Sequence, residues 1–105
     1  MLDDDVIERL KKNFEHVDAL GGIAEVRLYD PLSSWECYIL AIDPENEEFA
    51  AVMMCDGGRL WFEEVSLHDL LLKHNLDGEL MEIDHDFIPC SVLELHKTLV
   101  KRNPL

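Results

Sequence analysis

Residues 49–65, FAAVMMCDGGRLWFEEV, decide the fold. Phe49 to Cys55 is apolar throughout, Arg59 to Val65 carries Trp61 and Phe62, and Asp56-Gly57-Gly58 lies between them. Two strand-type runs joined by so short a turn form an antiparallel hairpin, because glycine tolerates the positive φ that such a turn demands. One turn upstream, across Asp43-Pro44-Glu45-Asn46, Trp35 to Ile42 is apolar on both alternating faces apart from Glu36. Before it, across Asp30-Pro31-Leu32-Ser33-Ser34, Ile23 to Tyr29 alternates Ala24, Val26 and Leu28 inward with Glu25 and Arg27 outward. Short turns between consecutive strands predict a four-stranded antiparallel meander. Two central strands apolar on both faces need cover on both sides. A second helical layer and a homodimer contact both satisfy that need, and the sequence leaves the choice open.

The flanks read as helices. Asp3 to Asp5 suit a helix start and its dipole, and Val6, Ile7, Leu10, Phe14 and Val17 recur at three- and four-residue steps until Gly21-Gly22. Ser66 with Asp69 opens a short helix carrying Leu67, Leu70 and Leu71, which ends near His74-Asn75 ahead of Asp77-Gly78. Leu80 to Phe87 can form a fifth strand. Ser91 with Glu94 is a second capping pair, opening a last helix with the stripe Val92, Leu95 and Leu99. Lys97, Lys101 and Arg102 gather at its C-terminal end, and Asn103-Pro104 stops it. The expectation is one α+β domain over residues 1–105: N-terminal helix, four-stranded meander, short helix, fifth strand and C-terminal helix.

A chain of 105 residues with 48% hydrophobic and 30% charged residues can bury one ordinary core. Its three cysteines, Cys37, Cys55 and Cys90, form no CxxC pair, which argues for reduced thiols and a cytoplasmic setting. The start Met1-Leu2-Asp3-Asp4-Asp5, acidic and with no apolar run after it, does not read as a secretory leader, and no stretch approaches the ~20 apolar residues that span a bilayer.

Charge is the exceptional quantity: 23 acidic against 9 basic residues, net −14. This works against nucleic acid or an anionic membrane as a direct partner and favours a basic protein. Between Arg27 and Lys97 stand sixteen carboxylates and only two basic residues, Arg59 and Lys73. On a strand, Glu82, Asp84 and Asp86 would share one face at steps of about 6.8 Å, close to the advance of phosphates along DNA. The plainer alternative is a charged edge that prevents strand-to-strand association. Glu45, Glu47 and Glu48 make an acidic hairpin tip, and Trp61, if exposed beside carboxylates, is an interface anchor.

The order of segments from Ile23 to Leu99 carries a resemblance. Val26 to Pro31 ends a strand in Val-x-Leu-Tyr-Asp-Pro, and the aromatic strand Trp35 to Ile42 and an acidic hairpin, Asp43 to Glu48, follow. Then come Val65-Ser66-Leu67 and the run Ile83, His85, Asp86, Phe87, Pro89. This arrangement resembles a family of small bacterial proteins known only as a domain of unknown function, often carried on mobile elements. The family often has Gly after the third-strand Phe and Gly-Tyr before Ser-Leu, where Ala50 and Glu64-Val65 stand here. The resemblance implies an α+β fold and a bacterial or phage setting, and no activity, cofactor or site residue.

Other chemistries fit poorly. Asp84-His85-Asp86 with Cys90 suggests a metal, but on a strand His85 points away from both neighbours, and zinc needs four convergent ligands. Cys90 near a helix start could be a nucleophile, with His68, His85 or His96 as base, yet a free cysteine is more often an inert hydrophobe. His16, His68, His74 and His96 read as helix-surface residues. The reading is therefore a non-enzymatic acidic protein, without cofactor or metal, that occupies a basic surface on a protein partner, as inhibitors and immunity proteins do, or as a DNA mimic does. Its alternatives are a homodimer through an apolar sheet face and a small cysteine- or carboxylate-dependent enzyme. The residues expected at the interface are Glu45, Glu47, Glu48, Trp61, Glu82, Asp84 and Asp86.

Overall fold

The structure, a computed structural model, describes residues 2–16, 22–72 and 81–102. Helix α1 (Asp4–Asn13) runs into a 3₁₀ turn (Phe14–His16). The strands are β1 (Ile23–Ala24), β2 (Val26–Tyr29), β3 (Glu36–Ile42), β4 (Phe49–Asp56) and β5 (Arg59–Ser66). Helix α2 (Leu67–Leu71), β6 (Glu82–Ile83), β7 (Cys90–Ser91) and α3 (Val92–Arg102) follow. The α+β expectation holds: β2 to β5 form the antiparallel meander, and β6 adds a fifth strand beside β2, in the order β5-β4-β3-β2-β6. Val17, Gly21, His74, Asn75, Asp77, Gly78, Leu80, Asn103 and Pro104 lie outside the described residues, as does Lys73.

The β3–β4 pair explains why those strands are apolar on both faces. Cys37, Ile39, Ile42, Ala50, Val52 and Met54 point to one side and pack with Leu10 of α1 and Leu70 of α2. Tyr38, Leu40, Met53 and Cys55 point to the other and pack with Val92, Leu95 and Leu99 of α3. The chain's own helices therefore cover both faces of the central sheet. A register shift between Ile39 and Ala41 leaves Leu40 as the extra residue of a bulge. Leu40 and Ala41 are buried, like the rest of β3, and Ile42 returns to the α1-side cluster of Ile39.

Three local expectations are corrected. Ala24 does not share a face with Val26 and Leu28, because the chain breaks at Glu25, whose N–H donates to the Ile39 carbonyl, and β1 pairs instead with β7. Ala24 thus joins the α3-side cluster while Val26 and Leu28 join the α1-side one. The fifth strand is shorter than the alternating pattern suggested: after Ile83 the Phe87 N–H donates back to the Asp84 carbonyl, closing a turn. Asp3 holds the N-cap position of α1 without a side-chain capping bond; its carbonyl accepts from Ile7. Both serine caps form as expected, with Ser66 Oγ accepting from Asp69 N–H at 3.2 Å and Ser91 Oγ from Glu94 N–H at 3.1 Å.

Candidate functional site

The two ends of the sheet hold carboxylates in different environments. At the β2–β3 end, Glu36 is buried. One Oε accepts from Arg27 Nε and from the Tyr38 hydroxyl, each at 2.9 Å, and the other pairs with Arg102 at the end of α3. Arg27 also reaches Asp84 at 3.0 Å and lies 4.6 Å over the Tyr29 ring, whose hydroxyl donates to Glu82 at 2.7 Å. Burial alone would raise the Glu36 carboxyl, but hydrogen bonds from Arg27, Arg102 and Tyr38 hold it below the ordinary carboxylate value. Burial, reinforced by the Glu36 charge, pushes the Tyr38 phenol up to about 12.

This end also holds an open cleft of about 490 Å³ beside Tyr29, Trp35 and Arg102. Its charged groups already satisfy one another, so its chemistry is that of a clasp tying α3 and β6 to the sheet.

Glu82, Asp84 and Asp86 therefore do not form a comb along one strand face, although Glu82 and Asp86 are exposed. Asp84 is ion-paired, Glu82 accepts from Tyr29, and the Asp86 N–H donates to the Asp84 side chain at 3.0 Å inside a turn. The spacing expected for a phosphate mimic does not form here.

The opposite end is open. Asp43 and Asn46 organise the β3–β4 turn: Asp43 Oδ1 accepts from Glu45 N–H at 2.9 Å and Asn46 Oδ1 from Glu48 N–H at 3.3 Å. The turn leaves Glu45, Glu47 and Glu48 exposed. The Glu48 carbonyl accepts from Leu67 N–H at 2.7 Å, which fastens the start of α2, with its exposed Asp69, to the same end. Glu63 and Glu64, which face opposite sides of β5, are exposed nearby. Among the described residues the ion pair here is that of Glu47 with Lys11, whose ammonium Glu47 holds above its ordinary pKa.

The expected site residues are thus divided. The structure gathers Glu45, Glu47 and Glu48 with Glu63, Glu64 and Asp69, and places Glu82 and Asp84 in the clasp at the other end, with the exposed Asp86 in the turn that follows. Trp61 is half-buried on the α1 side, its indole N–H donating to Glu63 at 2.7 Å, with Arg59 5.7 Å from its ring. The aromatic side chains more exposed along this margin are Phe49 and Phe62, at 37% and 38%, on the α3 side of β4 and β5. Sequence reasoning missed Glu63 and Glu64. Their signal was a pair of consecutive acids in a run otherwise rich in apolar residues, which only an edge strand accommodates.

Cys37 and Cys55 are buried and Cys90 is half-buried. Burial raises the Cys90 thiol, opposite to the activation a nucleophile needs. Among the described residues no helix is long and apolar enough to cross a membrane. Comparison with known protein families, curated proteins and solved structures finds no match.

Proposed function

We propose that the chain is a non-enzymatic, cytoplasmic acidic binding protein that engages a basic surface on a protein partner through the β3–β4 end of its sheet. One observation carries the reading: Glu45, Glu48, Glu63 and Glu64 are exposed there, with no ion pair among the described residues, while at the other end Glu36 and Asp84 are ion-paired to Arg27 and Arg102. Carboxylates gathered without counter-charge destabilise a fold by self-repulsion and steer cationic partners toward it. The resemblance to small proteins of bacterial mobile elements suits an inhibitor or immunity role of this kind. Net charge of −14 opposes direct contact with nucleic acid.

The homodimer alternative loses its widest surface, because α1 and α3 cover the central strands. Exposed apolar side chains remain for it outside the sheet faces, among them Phe49 and Phe62 at the β4–β5 margin, Ile88, and Leu93 and Val100 of α3, and a monomer in sedimentation at micromolar concentration removes it.

The acidic-end reading is tested by low-salt capture from lysate with two variants of equal charge. The variant E45Q/E48Q/E63Q/E64Q is expected to lose the captured partner, and D3N/D4N/D5N/E8Q to retain it. Equal loss from both would reduce the acidic end to a contribution to net charge alone.

A further inference from the structure

The open margin of β5 deepens this reading and rests on it. β5 is the outer strand, and among the described residues nothing pairs along its far side. Asp56 and Arg59 flank the two-residue loop Gly57-Gly58, whose φ angles are 59° and 87°, so they form a hydrogen-bonded pair. Counting by two, Trp61, Glu63 and Val65 exchange hydrogen bonds with Met54, Val52 and Ala50. The N–H and C=O groups of Leu60, Phe62 and Glu64 then point away from β4, toward solvent.

The edge is eight residues long, its register with β4 is unbroken, and it contains no proline. Of the usual devices that blunt an edge strand, only charge is present, as Glu63 and Glu64 and, at the strand's start, Arg59 over the Trp61 ring. The paired acids repel a second copy in any register that sets them against each other. They attract a basic strand.

We propose that the β5 edge accepts an extended basic segment of a protein partner by strand addition. Directly opposed residues share a face, so the segment meets Trp61 on the α1 side and Phe62 on the α3 side, then Glu63 and Glu64 on the same two sides. Antiparallel to β5, the complementary order from N- to C-terminus is two basic residues followed by two apolar ones. Backbone pairing supplies affinity and the side-chain order supplies specificity.

The probe is the capped peptide Thr-Lys-Lys-Val-Val-Thr at low salt, compared with a version N-methylated at alternate amides, which keeps the charge and loses the pairing. With peptide at ten times its dissociation constant, amide exchange at Leu60, Phe62 and Glu64 is expected to slow roughly tenfold, while Trp61, Glu63 and Val65 stay as protected as before. The variant E63K/E64K, changed only at exposed positions, is expected to abolish the effect with its circular dichroism intact. Equal binding of the N-methylated peptide overturns strand addition and leaves the acidic-end reading standing. No binding by either peptide overturns both. Protection at Phe62 and Glu64 that rises with protein concentration alone makes the occupant a second copy, which also overturns the proposal.

Discussion

Where β2 turns into β3, Glu36 is enclosed by Arg27, Arg102 and the Tyr38 hydroxyl, whereas where β3 turns into β4, Glu45 and Glu48 stand in solvent without an ion pair among the described residues. The same side-chain type stabilises the fold at one end and burdens it at the other. What differs is the reach of the helices. α3 delivers Arg102 to the first end, and among the described residues α1 brings one ion pair, that of Lys11 with Glu47, to the second. A strongly acidic chain thus concentrates its uncompensated charge by where its few cations are anchored.

The largest test of that contrast is Glu36→Ala. It leaves the Tyr38 phenol and the Arg27 and Arg102 guanidinium groups without their shared acceptor; Arg27 keeps Asp84 and Arg102 is half-exposed, so the cost is that of unsatisfied buried donors, about 1–3 kcal/mol. Glu48→Gln, at the open end, is expected to change stability by no more than about 0.5 kcal/mol. Urea unfolding followed by circular dichroism measures both, and comparable losses from the two would erase the distinction between the ends.

Titration sharpens the same contrast at the closed end. The Tyr38 phenol is raised to about 12, so the native state favours its neutral form. The stability this contributes is complete below the ordinary phenol value of roughly 10 and is lost as pH rises toward the native one. The Glu36 carboxyl is lowered, so its contribution is present above the ordinary carboxylate value and lost as pH falls through the native one. Tyr38→Phe should cost about 1 kcal/mol at neutral pH and remove the alkaline decline seen in thermal melts. An unchanged decline would place its origin elsewhere.

These groups also mark how far the sequence could be read. The meander, both serine caps and the helical stripes were legible because each depends on residues within one or two turns of each other. The cover over both sheet faces was legible as a need, but its source was not, since nothing local says that Leu10 and Leu99 land on opposite sides of β3. At the site, Glu45, Glu47 and Glu48 were legible because a hairpin tip exposes its side chains. That Glu82, Asp84 and Asp86 do not share a strand face was not legible, because the chain turns after Ile83 and the partners of Glu82 and Asp84, Tyr29 and Arg27, lie more than fifty residues away. Glu36 stood out as the one acid in an apolar run, yet its second guanidinium is 66 positions downstream.

A smaller effect is expected at the turn that starts the β5 edge. Gly58 sits at φ 87°, a conformation L-residues rarely adopt, so Gly58→Ala should cost about 1 kcal/mol. Fraying of the β4–β5 hairpin would then raise amide exchange at Trp61 before that at Ile39. Uniform exchange would show that the hairpin opens only with the whole sheet.

The smallest expected change in stability comes from Lys11→Gln, and its direction in binding makes it informative. Lys11 bridges α1 to the hairpin through Glu47 and also contacts Glu8 at 3.4 Å. Exposed pairs of this kind add little to stability because solvent and salt screen them, so the melting temperature should stay within error of wild type. Removing the described cation that is ion-paired at the acidic end nevertheless deepens its field. A basic partner captured at low salt should elute from the variant at higher salt than from wild type. If elution moves to lower salt, Lys11 itself contacts the partner, and the acidic end alone does not define the interface.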